Sequence, residues 1–178
     1  VSGNWVPPDE VPDITIESED EPLKIAAAKV SAASGTAVTV PIIIGDTKGL
    51  GIRAYEFDLH YDANVLKPAL TVAEIAGTVS EGRMLTINDT QKGTLRIVTF
   101  GAFPLDGKGE LLKINFEVIG TAASSSVLRW ENFRLNEGGI KFQALNGEVN
   151  VAGSAENGTI NGRLLDPRGG GVGRTRIT

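Results

Sequence analysis

Through the middle of the chain, apolar residues recur at every second position. Val38, Val40, Ile42 and Ile44 share one parity, and Phe57, Leu59 and Tyr61 alternate with Glu56, Asp58 and His60. Leu112, Ile114, Phe116 and Val118 are interleaved with Lys113, Asn115 and Glu117, and Leu128 and Trp130 with Val127, Arg129 and Glu131. Period two sends one set into a core and the other to the opposite face of a sheet. No window of comparable length holds the i, i+3, i+4, i+7 spacing of a long amphipathic helix. Turn punctuation separates the runs at Gly45-Asp46, Lys48-Gly49, Lys92-Gly93, Asp106-Gly107, Glu137-Gly138-Gly139 and Asn146-Gly147. This spacing predicts an all-β fold of about nine short strands in an antiparallel sandwich.

Two stretches read differently. Leu95 to Gly101 is apolar on both parities, with Ile97 and Thr99 on one and Val98 and Phe100 on the other. A strand of a one-core sandwich should be polar towards solvent, so this one is either covered by a loop or part of a protein-binding patch. Leu70 to Gly82 fits neither period, and Val72 to Ala76 is read as one helical turn.

Composition divides the chain in three. Residues 1–22 hold four of the eight prolines and the acids Glu17, Glu19, Asp20 and Glu21. Missing backbone donors and like-charge repulsion make this an acidic, Pro-rich linker. Residues 23–153 are the folded body. Residues 154–178 read as a linker and the first hairpin of a second β-domain, too short to close a core. Val1 to Trp5 has no signal-peptide character and the sequence has no initiator Met, so it is expected to belong to a longer, multidomain chain.

The 178 residues suit one ordinary domain, and at 41% hydrophobic they include no apolar run of the roughly 18 residues a membrane helix needs. Net charge is −5 and basic residues form no cluster, which argues against nucleic acid. The absence of cysteine excludes disulfides, thiolate metal sites and Cys nucleophiles.

Candidate chemistry is sparse. No Gly-x-Ser-x-Gly elbow is present, and the single histidine, His60, reads as an outward strand residue beside Asp58 and Asp62. The acidic residues sit in turns or on polar strand faces, where an Asp bonds nearby amides. No catalytic residue, metal site or cofactor is therefore assigned. Structural calcium is the one ion with candidate loops, Asn88-Asp89-Thr90 and Asp106 to Glu110, and neither follows the EF-hand order. Gly169 to Thr175 superficially resembles a phosphate loop, but the first glycine position holds Arg168 and no helix follows, so it is a turn.

The run Gly51 to Leu66, containing Tyr55-Glu56-Phe57-Asp58-Leu59-His60-Tyr61-Asp62-Ala63-Asn64-Val65-Leu66, resembles the third strand and following turn of bacterial cohesin domains, with Ala63 where proline is common. Lys29 to Ile42 resembles the family's first two strands, Gly93 to Gly101 its sixth, Gly109 to Val118 its seventh and Leu145 to Val151 its last. The resemblance implies a nine-stranded jelly-roll β-sandwich, extracellular or cell-surface, that captures a dockerin-like module on a partner protein. By position, the implied partner-binding residues are Ala54, Glu56, Asp58, His60, Ile87, Ile97, Thr99, Arg129 and Glu131. One common type of the family carries Asn and Asp where this chain has Ala54 and Glu56, and Ala102 to Lys108 is shorter than in many relatives. Ile160 to Ile177 resembles the opening of a carboxypeptidase-regulatory-like, transthyretin-type sandwich. The alternatives are a jelly-roll carbohydrate-binding module and a structural spacer in a surface protein. Aromatics are only 6% and Trp130 alternates with the core set, which disfavours a sugar-stacking row.

Overall fold

The computed structural model describes residues 21–153; all but the last two residues of the expected 1–22 linker, and the whole of the expected 154–178 linker and hairpin, lie outside them. Eleven strands follow in order: β1 (Leu23–Ala27), β2 (Lys29–Ala33), β3 (Ala37–Ile44), β4 (Ala54–His60), β5 (Leu66–Glu74), β6 (Met84–Asn88), β7 (Thr94–Phe100), β8 (Gly109–Val118), β9 (Ser125–Leu135), β10 (Phe142–Leu145) and β11 (Gly147–Ala152). They form a five-stranded sheet, β10-β1-β3-β8-β5, packed on a six-stranded sheet, β2-β11-β9-β4-β7-β6.

The expected nine strands appear as eleven segments because two runs change sheets midway. The first breaks at Ala28 into β1 and β2, and the last breaks at Asn146 into β10 and β11. The two runs lie side by side and point the same way, so β1 pairs with β10 and β2 with β11 in parallel. The sandwich is therefore mixed, where alternation alone predicted purely antiparallel pairing. Gly147 sits at this crossing, where a Cβ would lie 2.6 Å from Ala27 Cβ and 2.7 Å from the Ala28 carbonyl. Only glycine allows the two bends to pass so closely.

Between the sheets, β1, β3 and β8 contribute Ile25, Val40, Ile42, Ile44, Ile114 and Phe116, and the facing sheet contributes Tyr55, Phe57, Leu59, Leu95, Ile97, Leu128 and Val149. Phe57 anchors an aromatic cluster, stacked on Phe133 at 5.4 Å and edge-on to Trp130 at 4.9 Å. Trp130 is half-buried on the core side, and its indole N–H donates to the Leu145 carbonyl at 2.8 Å.

The expected helical turn at Val72 to Ala76 does not form. Pro68 faces Phe116 and Ala73 faces Ile114, so the intervening residues bulge out of β5 before pairing resumes. An insertion within a strand broke the period that a helix seemed to explain.

Candidate functional site

The outer surface of β9, β4, β7 and β6 is the site to which the sequence pointed. The strand β4 faces core with Tyr55, Phe57 and Leu59 and sends Ala54, Glu56, Asp58 and His60 outward, as expected. Its neighbours set their partners by register. On β7, Phe100 lies opposite Ala54, Val98 opposite Glu56, Arg96 opposite Asp58 and Thr94 opposite His60. On β9, Arg134 lies opposite Glu56, Glu131 opposite Asp58 and Arg129 opposite His60.

Three of the expected contact residues do not belong to this face. Ile97 and Thr99 are fully buried in the core, Ile97 opposite Phe57 and Thr99 opposite Tyr55. Ile87 pairs with Ile97 and is half-buried against the same core. The outward residues of β7 are Arg96, Val98 and Phe100, and those of β6 are Met84, Thr86 and Asn88. The sequence did contain the signal: Arg96 is the one charged residue of β7, and a cation inside a one-core sandwich would be unpaired. Its parity fixes Val98 and Phe100 outside and Ile97 and Thr99 inside.

The charges of the face are largely paired with each other. Arg96 bridges Glu56 and Asp58, each at 3.7 Å, and Arg134 approaches Glu56 at 3.6 Å. Asp58 is nearly buried beneath this lattice and accepts a 2.7 Å hydrogen bond from the Asn132 amide. Asn132 arrives there through a bulge. Three residues of β4, Glu56 to Asp58, lie opposite four of β9, Arg134 to Glu131, and Asn132 takes φ of 51°. The extra residue lets both Glu131 and Asn132 face outward while Phe133 turns into the core. Neither Asn132 nor Arg134 was predicted, because a bulge shifts parity without a composition signal.

At one end of the face, His60 sits between Glu131, at Nε2, and the Thr94 hydroxyl, 3.0 Å from Nδ1. The order hydroxyl, imidazole, carboxylate resembles a nucleophilic triad, but its setting is an open strand face. The nearby amides of Tyr61 and Thr94 already donate to Gly93 and Gln91, so no oxyanion hole is formed. This arrangement ties β4 to β9 and β7 at that end of the face. Among the described residues, no group of three His, Cys, Asp or Glu side chains is placed to hold a metal. Asn88 Oδ1, in one of the loops considered for calcium, instead accepts from the Thr90 amide and hydroxyl.

The opposite end is apolar. Met84 pairs with Phe100, and they are 61% and 50% exposed, with Val98 half-buried beside them. Arg83 pins the adjoining loop by donating to the carbonyls of Arg53 at 2.7 Å and Phe103 at 2.6 Å, which leaves the Phe103 ring 82% exposed. Burial lowers the Arg83 pKa from its ordinary value and raises that of Tyr55 behind it, although Ser80 hydrogen-bonds the phenol at 2.9 Å. Next to this end is a recess of 280 Å³, lined by Ala54, Val98, Glu56, Arg134, Asn136 and Glu137. Asn136 fixes its wall: its side-chain oxygen accepts from the Arg53 and Ala54 amides at 2.8 and 3.1 Å, and its amide donates to Gly51 at 3.0 Å.

The fold and sequence can be set beside known proteins. A non-cellulosomal cohesin from the archaeon Archaeoglobus fulgidus superposes with a TM-score of 0.64 at 18% identity, covering 76% of this chain and 94% of that one. The seventh ScaB type I cohesin of Pseudobacteroides cellulosolvens gives 0.62 at 24%, covering 76% and 96%. A Clostridium thermocellum structure described as a type I cohesin–dockerin complex, Coh-OlpA-Doc918, gives 0.64 at 19%, covering 74% and 99%. No curated protein sequence matches the chain. The cohesin domain family matches residues 23–161, the whole of the described sandwich, and the chain belongs to that family.

Proposed function

We propose that this chain is a non-catalytic binding module that captures a dockerin-like module of another protein on the outer face of β9-β4-β7-β6. Family membership supports the reading, as do structural neighbours described as cohesin–dockerin complexes. The observation that carries it is the exposed pair Met84 and Phe100, with half-buried Val98, beside a lattice of mutually paired charges. Folding does not need these apolar side chains outside, and a desolvated apolar centre with a polar rim is how protein interfaces are built. The sugar-binding alternative lacks its usual flat row: among the described residues on the strands of this face Phe100 is the one outward Phe, Tyr or Trp, Phe103 follows in the adjoining loop, and Trp130 is turned to the core. We place the protein outside the cytoplasm, on the cell surface or secreted, with residues 23–153 as the binding unit of a longer chain.

The test is binding of the chain to recombinant dockerin modules encoded by its own source organism. Binding that is lost on Arg96→Glu, in a chain that keeps its β-sheet circular dichroism and a cooperative unfolding transition, would support the reading. If none of those modules binds, or if binding ignores Arg96→Glu, the proposed face is wrong.

A further inference from the structure

On that reading of the face, the recess beside Ala54 acquires a specific role. We infer that it is a socket for one large aliphatic or aromatic side chain of the partner, flanked on the partner by a lysine or arginine that meets Glu137. Three observations lead there. Its volume of 280 Å³ exceeds the roughly 150 Å³ that holds a benzene ring in a protein cavity, so a whole Leu or Phe side chain fits. Ala54 and Val98 give it an apolar lining continuous with Phe100, which faces Ala54 across the strands. A longer residue at position 54 would fill it.

The charges on its rim differ in what they still offer. Glu56 is shared by Arg96 and Arg134, so it has little attraction left for an incoming cation. Glu137 lines the same recess, is exposed, and has no ion-pair partner among the described residues. It is the free carboxylate of the socket, and a cation is its complement. The wall is prepared before binding, because Asn136 ties the turn carrying Glu137 to the start of β4 through three hydrogen bonds. A preformed recess spares the partner the cost of ordering it.

The experiment displays a library on a dockerin scaffold with its contact positions randomised and selects it against the intact chain. Enriched binders should carry a large apolar residue next to Lys or Arg. They should bind Ala54→Trp, whose side chain occupies the socket, at least about thirtyfold more weakly, the scale of a lost hot spot. Ala54→Ser leaves the socket open and should bind within about threefold of the parent. Glu137→Gln should cost about five- to tenfold, with the loss shrinking at high salt. Melting curves of the Ala54 and Glu137 variants should overlie the parent, since both positions face outward. Binders lost on Arg96→Glu but indifferent to Ala54→Trp would overturn the socket and leave the dockerin reading standing. Binders that fill the socket but ignore Glu137→Gln would overturn the basic neighbour. An empty selection, or binders indifferent to Arg96→Glu as well, would overturn the face and the socket together.

Discussion

The two sheets turn quite different outer surfaces to solvent. On the five-stranded sheet, the outward positions of β3 and β8 are occupied by small or polar residues in separate local pairs. Thr39 donates to Asn115 at 2.7 Å, and Lys67 meets Glu117 at 3.1 Å. Its apolar exposures, Ile43 at 39%, Leu145 on β10 and Leu70 at the tip of the β5 bulge, stand apart from one another. On the six-stranded sheet, the charges form a chain from Arg134 through Glu56 and Arg96 to Asp58, and Met84, Val98 and Phe100 cluster at one end of it, with Val127 alone towards the other. Single exposed apolar residues need no special cause, whereas a cluster adjoining a fixed charge lattice does. One architecture thus carries a face with scattered apolar residues and another on which three of them adjoin a charge lattice.

The comparison is tested most severely at Ile97. If its strand were phased as first expected, Ile97→Asp would be a surface change; in the core it buries an unpaired charge. We expect a loss above about 4 kcal/mol and no cooperative unfolding transition in urea. Thr39→Asp, on the outer side of the other sheet, should cost within about 1 kcal/mol. Gly147→Val should follow at about 3 kcal/mol, because its Cβ would press on Ala27 and the Ala28 carbonyl; a chemical denaturation midpoint close to the parent's would show that the crossing yields.

Phe100→Asp separates folding from recognition. Its stability change should stay below about 1 kcal/mol while affinity for a dockerin partner drops more than about thirtyfold by calorimetry. Ile43→Asp should leave that affinity unchanged. An equal effect of the two substitutions would dissolve the distinction between the faces.

Alkaline titration gives a smaller effect, again confined to one sheet. Burial holds the Tyr55 pKa above its ordinary value of about 10, so the phenol ionises in the unfolded chain first. Its stabilising contribution is complete below about pH 10 and is lost as pH rises beyond it. Tyr55→Phe should therefore flatten the decline in melting temperature above that pH. The smallest effect belongs to the quiet face, where Lys67→Ala should cost less than about 0.5 kcal/mol.

Much of this was legible in the sequence, where each strand had one polar parity. The phases of β3, β4 and β8 follow from alternation, and Glu56, Asp58 and His60 emerge where period two placed them. Alternation faltered on β7 because both parities are apolar: Val98 and Phe100 are hydrophobic although they face outward, as the proposed binding face would require. Arg96 was the residue to trust. On β6 the polar Thr86 and Asn88 would likewise have placed Met84 outside and Ile87 inside. Asn132 and Arg134 were beyond reach, since their placement depends on a bulge set by packing of Phe133 against Phe57. The sheet changes at Ala28 and Asn146 were hidden too, because each occurs inside a run that continues as strand on both sides.

The parallel pairing of the sandwich's first and last runs bears on how it resists tension. Leu23 pairs with Phe142 at one end, and Ala33 with Ala152 at the other, so the chain enters and leaves the body at opposite poles. A pull between those poles slides β1-β2 along β10-β11, and the ladder bonds of both pairings share the load at once instead of opening in turn. Antiparallel neighbours joined at one pole would unzip bond by bond. Tension applied between Leu23 and Ala152 therefore meets the sandwich in its shearing geometry.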